Sequence, residues 1–405
     1  MSSIMATLFA AGFQLKDKLT EEETEKNHIE LLQKGETPTP APKLLKTRCT
    51  ENANGRIFYA NEDTSSGYTV FYIHGGGYQN DFSPFHWLFL KRVIEKTDAM
   101  LIAPAYRLVP FATWKEAFDL ILPVYQEFAA AHPEKKIILM GDSAGGGLSL
   151  ALAEQMKLDG IRLPDEIILL SPWVDATMEN PDVEAYAEED PWLSVPWLKV
   201  CGRSWAGDRD PHDYQVSPIN GDMKGLNNIT VFSGTKEVFY PDLMKFFELI
   251  RQNETNELII GKDMMHVFPL MPIPEAKPAC EIIFEKIMRA PSQKPAEAER
   301  VANSEEYRMI VDHYTDKDGK LSYDLLNKDM IKFSRSSSKV RKMLEEGKSE
   351  EEIRLYVVGT KFRNITGNKD LSDEQILKMV ELLDEISPKG VFKEFNEELR
   401  REQRK

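Results

Sequence analysis

A serine between glycines, three glycines after a histidine, and a late histidine supply the candidate chemistry of this chain. Gly141-Asp142-Ser143-Ala144-Gly145 follows the apolar run 137–140 and precedes the helix-like run 148–156. A strand-to-helix turn this tight has no room for side chains beside the serine. It holds the Ser143 hydroxyl exposed at a helix N-terminus, where negative charge is stabilised. Taken alone, the motif fits a glycine-rich turn without chemistry equally well. His74-Gly75-Gly76-Gly77-Tyr78 follows another apolar run, 68–73. Consecutive glycines let backbone N–H groups approach a developing oxyanion unobstructed. A phosphate-binding turn would end in Lys-Ser or Lys-Thr, and this one does not. Two glycine motifs in this order, each after a strand, are far more specific than either one.

A serine nucleophile needs a base, and the chain has 7 histidines. His28 falls in an N-terminal helical segment, His132 in a Pro-flanked loop and His313 in the tail. His74 belongs to the glycine motif and reads as a loop-stabilising residue. His86 and His212 have no strand-end context. His266 follows the last strand-like run, 257–260, and precedes Val267-Phe268, which makes it the favoured base. The acid that orients it should follow the preceding strand, 229–233. Glu237 and Asp242 both qualify, with Glu237 preferred; either carboxylate could instead serve as a helix N-terminal charge. Ser, acid, His is the chain order used when the nucleophile sits on a strand–turn–helix elbow.

These residues need a scaffold, and the hydrophobic pattern describes one. Strands are expected at 55–60, 68–73, 100–103, 136–140, 166–170, 229–233 and 257–260, alternating with helix-period segments. That rhythm predicts an α/β fold, a mostly parallel sheet with helices on both faces. The continuous apolar runs 137–140 and 167–170 fit strands buried on both faces. Residues 1–35 read as amphipathic helix, followed by a Pro-rich break at 37–42. Residues 172–216, rich in Trp, Pro and Asp, read as an excursion covering the site. The pattern stops near residue 288. A polar linker, 291–303, precedes a helical module of unknown role at 304–405, with capping boxes at Ser349/Glu352 and Ser372/Gln375. Asp316-Lys317-Asp318-Gly319 invites a calcium-loop reading, but Gly319 at loop position six puts Tyr314 and Leu325 where carboxylates are required. The basic run 332–342 reads as a solvated face.

Composition narrows the partners. A net charge of −15 opposes binding to nucleic acid or anionic lipid. Cys49, Cys201 and Cys280 lie far apart without metal-ligand spacing, which suggests free thiols in a reducing, cytoplasmic compartment. Residues 1–13 lack the basic start and cleavage site of a signal peptide. No apolar run has the length of a membrane span, so stable membrane association is not expected.

Together, His74-Gly-Gly-Gly-Tyr78, Tyr106-Arg107-Leu108, Gly141-Asp-Ser-Ala-Gly-Gly146, Asp190-Pro191, Ser217-Pro218, Gly234-Thr-Lys-Glu237 and His266-Val-Phe268 resemble the hormone-sensitive-lipase-like family of α/β-hydrolases, over about residues 50–290. The resemblance implies an α/β-hydrolase fold over 46–290 and a cap built from N-terminal helices (1–45) and an insertion (173–216). It implies an oxyanion hole formed by the N–H groups of Gly76, Gly77 and Ala144. It also implies a serine carboxylesterase that uses a Ser143–His266–Glu237 triad on a small to medium, neutral acyl ester, without cofactor or metal. The same triad would serve a lactonase, amidase or deacetylase. A non-catalytic ligand receptor on this scaffold is the alternative of another class, disfavoured because known receptors of this type have lost triad members. The oligomeric state stays open, a homodimer included. Two positions depart from the family pattern: Glu237 stands where Asp is usual, and Phe111 where a Glu follows the Tyr-Arg-Leu run.

Overall fold

The computed structural model describes residues 3–14, 18–253, 255–289, 305–317, 322–385 and 392–403. The chain divides into two compact units, Met1–Ala290 and Pro291–Lys405.

In the first unit eight strands form one sheet: β1 (Arg48–Asn52), β2 (Gly55–Ala60), β3 (Tyr68–Ile73), β4 (Met100–Tyr106), β5 (Lys136–Asp142), β6 (Glu166–Leu170), β7 (Ile229–Lys236) and β8 (Glu257–Met265). Their order is β1-β2-β4-β3-β5-β6-β7-β8. β1, β2 and β4 pair antiparallel, and every pairing from β4 through β3 to β8 is parallel. The seven expected strands are present, most of the later ones running beyond the expected ends. β1 is new. Its residues are all exposed and carry no apolar pattern, and it returns into β2 through a two-residue turn, Ala53-Asn54. Charged Arg48 and Glu51 suit an exposed edge.

The central strands serve two cores at once. Ile137 and Leu139 of β5 point to one face, Ile138 and Met140 to the other, and β3 and β6 alternate in the same way. Helices α4 (Trp114–Ala131), α5 (Ser143–Leu158) and α8 (Tyr240–Ile250) cover the first face. Helices α3 (Pro84–Thr97) and α9 (Ala276–Met288) cover the second. Burying both faces explains why β5 and β6 are continuous apolar runs. The C-terminal ends of β5, β7 and β8 then lie along one edge of the sheet, with β6 between β5 and β7, where an open parallel sheet presents its ligands.

The N-terminal segment forms α1 (Ile4–Gln14) and α2 (Glu21–Lys34), the latter started by a Thr20/Glu23 capping box. The excursion 172–216 folds into α6 (Val183–Ala187) and α7 (Val195–Ala206). These two segments hold each other. Lys18 Nζ donates to the carbonyls of Ala187 and Asp190, each at 2.8 Å, and Arg203 pairs with Glu21 at 2.8 Å. Arg107 pairs at 2.8 Å with Glu36, just beyond α2, so the N-terminal segment is tied to the end of β4.

The second unit is helical among its described residues, with helices at Glu305–His313, Tyr323–Ser336, Ser338–Glu345, Glu350–Thr366, Asp373–Glu385 and Lys393–Gln403. Its own core gathers Ile310, Met330, Val357, Phe362, Ile376 and Phe395, among others. Both expected capping pairs form, Ser349 with Glu352 and Ser372 with Gln375. The linker 291–303 lies outside the described residues, as do Asp318 and Gly319. No helix of the described residues is long and apolar enough to cross a membrane.

Candidate active site

Ser143 stands at the junction of β5 and α5 with a left-handed φ of +51°, a strained conformation for a non-glycine residue. The helix starts at the serine itself, five residues earlier than the apolar pattern suggests. Close packing explains the glycines around it. A Cβ at Gly145 would lie 2.2 Å from the Ile73 carbonyl oxygen. The side chain keeps 6% of its surface accessible, at the positive end of α5.

Ser143 Oγ lies 2.8 Å from His266 Nε2, and His266 Nδ1 lies 2.5 Å from Glu237 Oε2. In the arrangement these contacts fit, Ser143 O–H donates to Nε2 and Nδ1–H donates to the carboxylate. The other Glu237 oxygen accepts from Ser233 Oγ (2.7 Å) and from the Gly234 N–H (2.9 Å). Glu237 is fully buried, so these bonds fix its only free oxygen on the imidazole. Asp242 is elsewhere: it accepts from Asn180 Nδ2 at 2.6 Å, and burial pushes its pKa up to about 6. Of the two sequence candidates, Glu237 is the one in contact with His266.

The glycine loop turns through Gly76 (φ +118°) and Gly77 (φ +64°), conformations open to glycine. Gln79 and Asn80 N–H groups bond back to the Gly76 carbonyl at 3.2 and 2.9 Å. The N–H groups of Gly76 and Gly77 donate to no group of the described residues. That of Ala144, in the first turn of α5, has no intrahelical acceptor. Trp197 of α7 packs on Gly77, and its indole N–H donates to Gln79 Oε1 at 2.7 Å. His74 stabilises the loop as expected, with Nδ1 2.7 Å from the Gly75 carbonyl; burial lowers its pKa.

Beside the site, Trp192 sits edge-on to His266 at 5.8 Å and is 37% exposed. Trp173 belongs to the core, stacked between Tyr78 and Phe239. Met265 is buried in the second core, and Phe82 stacks on Trp87.

Sequence reasoning missed three supports. His86 has a strand-end partner after all: its Nε2 is 3.1 Å from Asp142 Oδ2, immediately before Ser143. Tyr72 O–H donates to the other Asp142 oxygen at 2.6 Å. Burial opposes the charged form of Asp142, but the His86 ring, Tyr72 hydroxyl and Gly75 N–H outweigh it and lower its pKa. Asp190 accepts from the N–H groups of Trp192, Leu193 and Val238 at 2.8–2.9 Å, which ties the excursion 172–216 to the residue after Glu237. Burial raises its pKa, opposed by the nearby His266. The Asp190-Pro191 dipeptide was the visible signal for this tie. His86 gave none, because its partner is 56 residues away.

The comparisons with known proteins agree with this architecture. Residues 70–270 match a family model described as the alpha/beta hydrolase fold. An esterase from Acinetobacter venetianus is 31% identical over 185 residues, 45% of this chain and 61% of that protein. Human hormone-sensitive lipase is 30% identical over 166 residues, 39% of this chain and 15% of that protein. Among solved structures, a Staphylococcus aureus protein assigned as an esterase superposes with a TM-score of 0.60 at 27% identity, covering 67% of this chain and 93% of that one. Over residues 70–270 the chain is similar to α/β-hydrolases that include hormone-sensitive lipase. It spans less than two thirds of either curated relative.

Proposed function

We propose that this chain is a serine carboxylic-ester hydrolase acting on small to medium, neutral acyl esters. The observation that carries the reading is the unbroken chain Ser143 Oγ–His266–Glu237, at 2.8 and 2.5 Å. Ser143 attacks the ester carbonyl while His266 Nε2 takes its proton. Negative charge on the carbonyl oxygen is met by the N–H groups of Gly76, Gly77 and Ala144, whose lack of internal acceptors suits that task. Glu237 holds the imidazole tautomer and stabilises the imidazolium. His266 then protonates the departing alcohol, leaving an acyl-enzyme. Water attacks the acyl-enzyme with His266 again as base, which regenerates Ser143. Trp192 and Trp197 give the approach an apolar character, and the net charge of −15 disfavours anionic substrates.

A panel of p-nitrophenyl esters of increasing acyl length, with lactone and anilide counterparts, tests the reading alongside fluorophosphonate labelling. The expected result is turnover of short and medium esters and labelling that maps to Ser143. A chain that is neither labelled nor active on any of them, yet binds a small ligand tightly, would replace the esterase with a receptor.

A further inference from the structure

The Asp142 carboxylate lies between the two halves of the site. It belongs to the elbow that carries Ser143 and Ala144, and it reaches the loop that carries Gly76 and Gly77. Its Oδ1 accepts from the Gly75 N–H at 2.9 Å and from Tyr72 O–H at 2.6 Å. Its Oδ2 faces His86 Nε2 at 3.1 Å. The carboxylate is 2% exposed, so nothing in solvent competes for these bonds. Gly75 is pressed against it: a Cβ there would lie 2.3 Å from Asp142 Oδ2 and 2.9 Å from Ser143 Cβ.

The donor order along this chain is fixed. His86 Nδ1 accepts the Ser83 backbone N–H at 2.8 Å, within the cap of α3. A nitrogen that accepts carries no proton, so the ring proton sits on Nε2 and points at Asp142. Both carboxylate oxygens are therefore committed, one to α3 and one to the glycine loop.

We propose that Asp142, oriented by His86, is the positioning residue that holds the oxyanion loop in register with the nucleophile. The proposal rests on the esterase reading and adds to it. Neither residue touches the substrate. Each acts through the placement of the Gly76 and Gly77 N–H groups, whose worth depends on meeting the oxyanion at hydrogen-bond distance. The expected signature is a loss of transition-state stabilisation with substrate binding retained.

Three variants of the full chain test this. In D142N the new amide can still accept from Gly75, but its NH₂ group faces the His86 Nε2–H. H86N keeps an acceptor for the Ser83 N–H and loses the donor to Asp142; H86Q does the reverse. Activity is expressed per active site, titrated with a fluorophosphonate, so that misfolded protein is not counted. The expected result is a fall in kcat of about 10²-fold for D142N and H86N, with KM within about threefold. Affinity for a boronic acid that forms a tetrahedral adduct should fall with kcat/KM. H86Q should recover most of the loss seen in H86N. A loss in H86Q equal to or larger than that in H86N would show that the donor to Asp142 is not what matters, and would overturn the proposal. So would variants that lose thermal stability but keep kcat per titrated site. If D142N does not fold, the two His86 variants decide the matter. An inactive, unlabelled wild type removes the esterase reading and the proposal together, whereas an active wild type with unaffected variants removes the proposal alone.

Discussion

The two units bury different things. The first buries Asp142, Glu154, Glu166, Asp190, Glu237, Asp242 and several histidines, whereas the buried polar residues described in the second are Asn327 and Ser334. Charge away from water is costly unless it is paired, and each such group strains the balance of a domain. In the first unit several of these groups cluster where β5, β7 and β8 end, and they bond to one another or to backbone N–H groups. Among the described residues of the second unit no charged side chain is buried, and exposed pairs such as Lys328–Asp324 and Lys348–Glu352 contribute little. The contrast is between a scaffold built around a polar site and one built around an apolar core. It is the arrangement of the buried charges, more than their number, that distinguishes chemistry from packing.

The sharpest way to break the contrast is to remove the groups at its centre. Ser143→Ala should lower kcat by about 10⁶-fold if the three residues act as a unit. A variant that kept wild-type ester turnover would end the catalytic reading of Ser143. Glu237→Gln comes next. Its amide would place a donor against His266 Nδ1 and favour the wrong tautomer, so kcat should fall by about 10⁴-fold. Steady-state kinetics on one p-nitrophenyl ester measures both.

Much of this was legible before the structure, for a physical reason. A buried parallel strand has to be apolar on both faces, so β3, β5, β6 and β7 stand out as runs. The nucleophile turn tolerates only glycine at its tightest points, so its spacing is local. The order of Ser143, Glu237 and His266 follows from which strand each one ends. What escaped was either unpatterned or distant. β1 is exposed throughout and leaves no hydrophobic trace. The partnership of His86 with Asp142 depends on α3 folding back beneath the elbow, which no spacing encodes. The choice between Glu237 and Asp242 turned on side-chain direction: one follows β7 directly, while the other lies in the first turn of α8 and faces Asn180.

A smaller effect tests the apolar side of the contrast. Phe362 is fully buried in the helical unit's core. Phe362→Ala should cost about 3–5 kcal/mol there, from lost transfer energy and the cavity left behind. Two compact units predict that calorimetry separates the damage: a transition assigned to the helical unit moves down, and ester turnover at low temperature stays at the wild-type value. If turnover fell with the helical transition, the second unit would be part of the catalytic apparatus and the contrast would collapse.

The smallest effect comes from the carboxylate the site does not use. Asp242 is 3% exposed, and burial raises its pKa from 3.8 to about 6. Between those two pH values the native carboxyl holds a proton that the unfolded chain has given up. Stability therefore falls as pH rises through that window, and the loss is complete above it, on the order of 2 kcal/mol. Asp242→Asn does not titrate and can still accept from Asn180. Its melting temperature should gain on the wild type between pH 4 and about 7 and then run parallel to it, with kcat little changed. The pH dependence is the decisive readout, because a packing change would shift the two curves by the same amount at every pH. A large loss of kcat in this variant, with Glu237→Gln nearly silent, would move the acid of the triad from β7's end to α8.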